Sequence, residues 1–502
     1  VTALAVVECL LLLWVSLLYV PFRWRPFGIF LITEKMLALA YAPIILVLST
    51  ALAVVGAMSG SWSNAAPAGM AAIAALAVIV RVGSVRTDLS GALGGGWREH
   101  IPAERRVRMV SRWWAGPLPT SLEPRWQRDV PFATVPGAGR VLLCDVWQPP
   151  IGVASSGVAV VYMHGSGYVL LDKDCGTRRL FRHLAAQGHV VVDVAYRLFP
   201  ETDVVGMVAD AKRAIAWVRG RAGDLGVDPE RIVLVGGSAG GHLSLLAAYG
   251  HDDPALTPPE LAGSDLRVSA VASLYGQVGL DTMYEHTGQD EVCHPDDPRP
   301  DWTARPSRAL VRLFGDDAAR LRLQFMVHGG RSDWLVGGAP REVPDRYARL
   351  SALTYVRSDC PPTLLMHGTH DEMAPVGAVR RLERRLEEAG APVTAVYLPH
   401  TDHAFDLVGT AWSPAARVAV HVLERFLAAT SVTSARTAPA VATGSTTSGA
   451  SHALEASGAS PLRPHHFNRA PALSAWLERS IARGAMSRSH RDGRHCETVP
   501  GL

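Results

Sequence analysis

Residues 228–249 read DPERIVLVGGSAGGHLSLLAAY. The run IVLV is short, apolar and β-branched, as a buried strand is. It stops at Gly236-Gly237-Ser238-Ala239-Gly240-Gly241, and HLSLLAAY continues as a helix. G-x-S-x-G between a strand and a helix is the setting of a nucleophile elbow. The serine there occupies a sharp, strained turn, so that its hydroxyl projects from the end of the sheet. Gly236 and Gly240 give that turn room against neighbouring chain. The alternative is an ordinary Gly-rich strand-to-helix turn.

A serine hydroxyl is a poor nucleophile until a base takes its proton. On a sheet with such an elbow the chain order is nucleophile, acid, histidine. The stretch TLLMHGTHDEMAP, 363–375, ends a strand in a turn bearing Asp371; VTAVYL, 393–398, runs into PHTDHAF with His403. Both residues follow the carboxyl ends of strands, where open α/β sheets build their sites. Asp371 is preferred as the acid over its neighbour Glu372. His403 is preferred as the base over His400, which directly follows the strand. His367 and His370 read as turn or packing residues, and Asp402 as a solvated loop acid. Negative charge developing on a carbonyl oxygen needs backbone N–H donors. His164-Gly165-Ser166-Gly167 follows the apolar run VAVVYM, so the amides of Ser166, Gly167 and Ala239 are the expected donors.

Five motifs, HGSG (164–167), YRLFPE (196–201), DPERIVLVGGSAGGH (228–242), PPTLLMHGTHDEMAP (361–375) and HTDHAF (400–405), occur in order. Together they resemble the hormone-sensitive-lipase-like branch of the α/β-hydrolases, where bacterial acetyl esterases and feruloyl-esterase-like hydrolases also belong. The resemblance spans about two thirds of the chain. It implies the α/β-hydrolase fold and carboxylic-ester hydrolysis. It also implies that Glu201 helps order the active-site loops, with a surface salt bridge as the alternative. Three positions depart from the family pattern: Ser166 replaces the middle glycine of HGGG, Gly237 replaces the acid of GDSAGG, and Phe199 replaces the alanine of YRLAPE.

Away from the motifs, short apolar runs alternate with helical patterns across residues 87–430, as in a mostly parallel sheet with helices on both faces. Strands are expected at 140–147, 157–163, 189–195, 231–235, 268–274, 362–367 and 393–398, and helices near 210–225 and 376–389. The stretch 277–350 lacks a strand and reads as a cap insertion. Its Tyr284, Trp302, Phe314, Phe325, Met326 and Trp334 would line a pocket or form the cap's own core. Residues 431–502 are rich in Ser, Thr, Ala, Gly and Arg, the composition of a disordered tail. Residues 1–86 hold three apolar runs, 3–20, 36–58 and 66–80, expected as about three transmembrane helices; the third is shorter, rich in alanine and marginal as a span, and if it does not insert the catalytic domain falls on the outside. Arg23, Arg25 and Lys35 in the first loop, with Arg81 and Arg86 after the third run, put those segments and the catalytic domain on the cytoplasmic side.

Composition agrees with this three-part reading. The 502 residues carry 49 Lys+Arg and 46 Asp+Glu, a net +3, with 19% charged and 48% hydrophobic residues. Mean hydropathy is +0.13. That excludes a disordered chain, argues against an enzyme soluble along its whole length, and is too polar for a polytopic transporter. The charge is too small to point to nucleic acid. Three lysines and two asparagines in the whole chain suggest a GC-rich bacterial source, hence a multi-pass protein of the bacterial cytoplasmic membrane. No two of the six cysteines form a CxxC pair, so neither a disulfide framework nor a zinc site is expected. The expected activity is two-step acyl transfer to water from a short-to-medium or lipid-like ester, needing no metal or redox cofactor. An acyltransferase with the same acyl-enzyme and a silent ligand-binding protein are the alternatives.

Overall fold

The computed structural model describes residues 3–21, 28–110, 122–286, 332–409 and 412–433. An eight-stranded sheet organises them. Its strands are β1 (Arg125–Val135), β2 (Arg140–Gln148), β3 (Ala159–Met163), β4 (Val190–Ala195), β5 (Ile232–Gly237), β6 (Ala270–Leu274), β7 (Thr363–Gly368) and β8 (Val393–Leu398). Their order is β1-β2-β4-β3-β5-β6-β7-β8. The β1–β2 and β2–β4 pairs are antiparallel, and the other five are parallel. Every residue of β3, β5, β6 and β7 is buried. Strands covered on both faces carry no polar alternation, so they read in sequence as continuous apolar runs.

The expected strands occur within two residues of their expected limits. β1 was not expected, because its sequence RWQRDVPFATV is mostly exposed and holds a proline. As an edge strand it can accept Pro131, which has no N–H to donate. Its register with β2 slips on both sides of Val130–Pro131, next to Asp129 at φ +54°.

Four long helices, besides shorter turns of helix, come before the sheet among the described residues: α1 (Ala3–Ser16), α2 (Gly28–Ala40), α3 (Ala42–Met58) and α4 (Trp62–Gly83). The run 36–58, expected as one span, is broken. Its two parts meet at 69°, with Pro43 in the first turn of α3. A proline ring clashes with the preceding turn and lacks a donor, so α2 does not continue through it. The third run, by contrast, extends beyond its expected limits into the 22-residue α4. Among the described residues one helix, α4, is long and apolar enough to cross a membrane, or two if α2 and α3 count as one bent span. Lys35 is not a loop charge; it lies inside α2 and is buried.

Further helices cover both sheet faces: α5 (Val204–Gly220), α6 (Ala239–Tyr249), α7 (Val376–Glu388) and α8 (Pro414–Thr433). α5 starts six residues before the expected Asp210, because the Asp203 carboxylate caps it by accepting the Gly206 N–H. On one face α5, α6 and α7 pack Val208, Ile215, Leu243 and Leu382 against Val161, Leu234 and Leu365. On the other face, Val160, Val235 and Met366 share a continuous buried cluster with Phe426 of α8 and with Leu18, Leu39, Ile45, Ala75 and Val82 of the N-terminal section. The N-terminal helices thus complete the core of the sheet. Within the stretch 277–350, short helices occupy Leu280–His286, Ser332–Val336 and Pro344–Arg349. Trp302, Phe314, Phe325, Met326 and the tail beyond 433 lie outside the described residues.

Candidate active site

The strand register assembles the site. β3 and β5 are parallel neighbours with Met163 opposite Gly236. The loop His164–Gly167 therefore leaves the sheet beside Ser238. This is also where strand order reverses, the crevice in which open α/β sheets bind ligands. Asp371 follows the end of β7 and His403 the end of β8, on the same edge.

Ser238 has φ +54° and ψ −124°, a conformation that side chains other than glycine rarely adopt, as a nucleophile elbow demands. His403 Nε2 lies 2.8 Å from Ser238 Oγ, and its Nδ1 lies 2.9 and 3.1 Å from the two oxygens of Asp371. With the proton on Nδ1 facing Asp371, Nε2 is left to accept the Ser238 hydroxyl. Asp371 Oδ1 also accepts the N–H groups of Met373 and Ala374 at 2.9 and 2.7 Å. Burial pulls the His403 pKa down, but the Asp371 charge and hydrogen bond, aided by Asp402 and Asp406, outweigh it and hold it above the usual value. For Asp371, burial pushes up, while His403 and His367 with the turn amides bring the carboxyl below its usual range. Both shifts favour the charged pair.

The competing residues stand elsewhere. Glu372 points towards Lys35, 4.0 Å away. His400 meets Arg81 at 3.1 Å and packs against the Tyr19 ring. His367 is buried behind the acid, 2.7 Å from the Ala374 carbonyl. Asp402, expected as a solvated acid, is instead 3% exposed and bound to Lys35. The apolar section that covers it is distant in sequence, so no local pattern marks the residue as buried.

The amides of Ser166, Gly167 and Ala239 have no backbone acceptor among the described residues. Ala239 opens α6, whose first N–H groups have no intrahelical partner and form the positive end of the helix dipole. The Ser166 side chain turns away from the crevice: its Oγ is 2.7 Å from the Tyr196 hydroxyl and accepts the Tyr168 N–H. Tyr196 also donates to the His164 carbonyl and stacks on the His164 ring. Tyr196 therefore braces the HGSG loop at two points. Sequence reading quoted it within YRLFPE but gave it no role. Glu201 of the same motif pairs at the surface with Arg140, 3.1 Å away, and makes no described contact with Ser238 or His403. Instead, Arg197 anchors the segment, its guanidinium on buried Asp210 at 2.8 Å. Tyr275 was also missed. Its ring packs against the His403 ring in a T-shaped contact, with centroids 4.9 Å apart, and its hydroxyl donates to Asp406 at 2.5 Å.

At the start of the insertion, Gln277 and His286 reach the carbonyls of Met373 and Glu372, which ties it to the Asp371 turn. Among the described residues no group of three His, Cys, Asp or Glu side chains is arranged to hold a metal ion.

The BD-FAE family model matches residues 144–302 and 325–386. This range contains Ser238 and Asp371. The probable carboxylic ester hydrolase LipM of Mycobacterium tuberculosis is 30% identical over 61% of this chain and 62% of its own length. Esterase LipQ of the same organism is 29% identical over 56% of this chain and 58% of its own. The chain thus spans about three fifths of the length of these curated relatives. Among solved structures, the apo form of Thermogutta terrifontis esterase 2 is similar over 62% of this chain and 95% of that one, at 21% identity and a TM-score of 0.43. The mostly parallel sheet, with its serine at a strained strand-to-helix turn, is an α/β-hydrolase fold, and the part of it that carries Ser238 and Asp371 is similar to the BD-FAE family.

Proposed function

We propose that the chain is a serine carboxylic-ester hydrolase acting through an acyl-enzyme. One observation carries this reading: His403 lies within hydrogen-bond reach of Ser238 on one side and of Asp371 on the other. His403 takes the proton from Ser238 as the oxygen attacks the ester carbonyl. Asp371 holds the imidazole in the needed tautomer and stabilises its positive form. The free amides of Ser166, Gly167 and Ala239 receive the oxyanion. His403 then gives its proton to the leaving alcohol, and a water deprotonated by the same ring releases the acid. LipM and LipQ, by their names, act on esters, which supports the same chemistry here.

The substrate class is a short-to-medium acyl ester that partitions into lipid. The support is the apolar outer surface of the N-terminal helices, where Leu13, Val47, Met58, Trp62 and Ile73 are all more than 60% exposed. Their outward face sits in a membrane, with the catalytic domain on its cytoplasmic side. Tethering then raises the local concentration near such substrates. The test is turnover of esters of graded acyl length by the full chain, with a fluorophosphonate label on Ser238. Loss of label and turnover in Ser238→Ala and His403→Ala is expected. Turnover retained in either variant refutes the assignment, and acyl transfer to an added alcohol without free acid refutes hydrolysis.

A further inference from the structure

The two oxygens of Asp402 have different partners. Oδ1 accepts the backbone N–H of His403 at 2.8 Å and of Glu372 at 3.1 Å. One carboxylate oxygen thus ties the loop after β8 to the turn after β7, the two segments that carry His403 and Asp371. Oδ2 meets the ammonium of Lys35 at 3.2 Å. Lys35 belongs to α2, more than 360 residues away in sequence, and is 2% exposed. Two more residues of the N-terminal section hold the same loop: Arg81 contacts His400 at 3.1 Å, and the Tyr19 ring lies 4.7 Å from the His400 ring.

A carboxylate buried this near to Asp371 needs a counter-charge. Burial and the Asp371 charge push the Asp402 carboxyl up, and Lys35 opposes them. Removing one partner of a buried ion pair leaves an uncompensated charge, which the protein escapes by protonation or by local rearrangement. Either response loosens the bonds to Glu372 and His403. Catalytic geometry tolerates little of that.

We infer that Lys35 is a positioning residue: its ammonium neutralises Asp402, whose carboxylate clamps the Asp371 turn to the His403 loop. The N-terminal section is then a working part of the acid–base machinery and not only a tether. This rests on the Ser238–His403–Asp371 reading above.

The test uses the full-length chain in detergent and a water-soluble p-nitrophenyl ester. Lys35→Gln lowers kcat by about tenfold or more with KM within about twofold, since binding groups are untouched while the reacting groups shift. Lys35→Arg keeps kcat within about threefold, because the charge survives. Adding Asp402→Asn to Lys35→Gln restores kcat by about threefold or more, because the amide keeps an acceptor oxygen without a buried charge. A kcat for Lys35→Gln within twofold of wild type, an effect on KM alone, or a double variant no better than Lys35→Gln overturns the inference. Should Lys35→Gln fail to fold, Lys35→Arg and Asp402→Asn carry the test, and a larger kcat loss in Lys35→Arg than in Asp402→Asn overturns it. A wild-type chain that neither turns over the ester nor takes a fluorophosphonate on Ser238 overturns the hydrolase reading as well.

Discussion

Gly240→Ala tests whether the elbow positions its oxyanion donors by close backbone packing. Gly240 lies in the first turn of α6, directly after Ala239. A Cβ there would stand 2.6 Å from the His164 carbonyl oxygen and closer still to that of Met163, all of it backbone. No side chain can swing aside. Opening these contacts to the 3.4 Å of ordinary packing moves α6 away from the end of β3 and the start of the His164–Gly167 loop by about 1.4 Å at Met163 and about 0.8 Å at His164. These two segments carry the Ala239 amide and the Ser166 and Gly167 amides. Loss of one oxyanion donor costs about 10²–10³ in kcat. Overpacking adds about 1–3 kcal/mol of lost stability. The assay is kcat and KM on a short-chain ester alongside urea unfolding. Activity within threefold of wild type in a folded Gly240→Ala protein would refute the reasoning, because the amides could not then depend on that approach.

Other consequences are open to measurement. Because His403 titrates above the usual histidine value and must be neutral to accept the Ser238 proton, kcat/KM falls as pH drops through that raised pKa. An acid limb centred below pH 6 would contradict the Asp371 pairing. Asp210 is fully buried and holds Arg197 and Arg213 together, so Asp210→Ala costs about 3–5 kcal/mol in denaturant unfolding. A loss under 1 kcal/mol would show that the Arg197 anchor is dispensable. Ile73→Lys, on the outward face of α4, weakens membrane association by about 2.5–3.5 kcal/mol if that face meets lipid at mid-depth. Unchanged membrane partitioning on cell fractionation would place this face elsewhere, and turnover of a soluble ester should be unaffected in either case.

What was legible in the sequence was whatever local chemistry enforces. The parallel strands are buried on both faces, so β-branched runs disclose them. The serine, acid and histidine occupy strand ends in a fixed chain order, so His403 and Asp371 could be named before any geometry was known. β1 escaped notice because an exposed edge strand with bulges and a proline carries neither alternation nor an apolar run. Asp402 and Lys35 escaped notice for a different reason: each looks like a surface charge among its own neighbours, and only tertiary packing pairs them. Tyr196 and Tyr275 were hidden the same way, since a buried aromatic with one hydroxyl bond has no signature of spacing.

The third apolar run shows how one pattern can serve two surfaces. In sequence it was marginal as a span because it is rich in alanine. In the fold, Ala65, Ala68, Ala71, Ala72 and Ala75 of α4 are buried, while Met70, Ile73, Leu76 and Val80 face outward. Small residues let helices approach closely, and where α3 passes α4 a Cβ on Gly56 would come within 2.8 Å of the Ala65 nitrogen. The same section must also deliver Tyr19, Lys35 and Arg81 to the loop that carries His403. A flexible anchor could not keep a buried ammonium 3.2 Å from a carboxylate. The alanine face of α4 therefore serves the placement of the His403 loop as well as the packing of the helices. A replacement section of equal hydropathy would lose the contacts to Asp402 and His400 whatever surface its outward face meets.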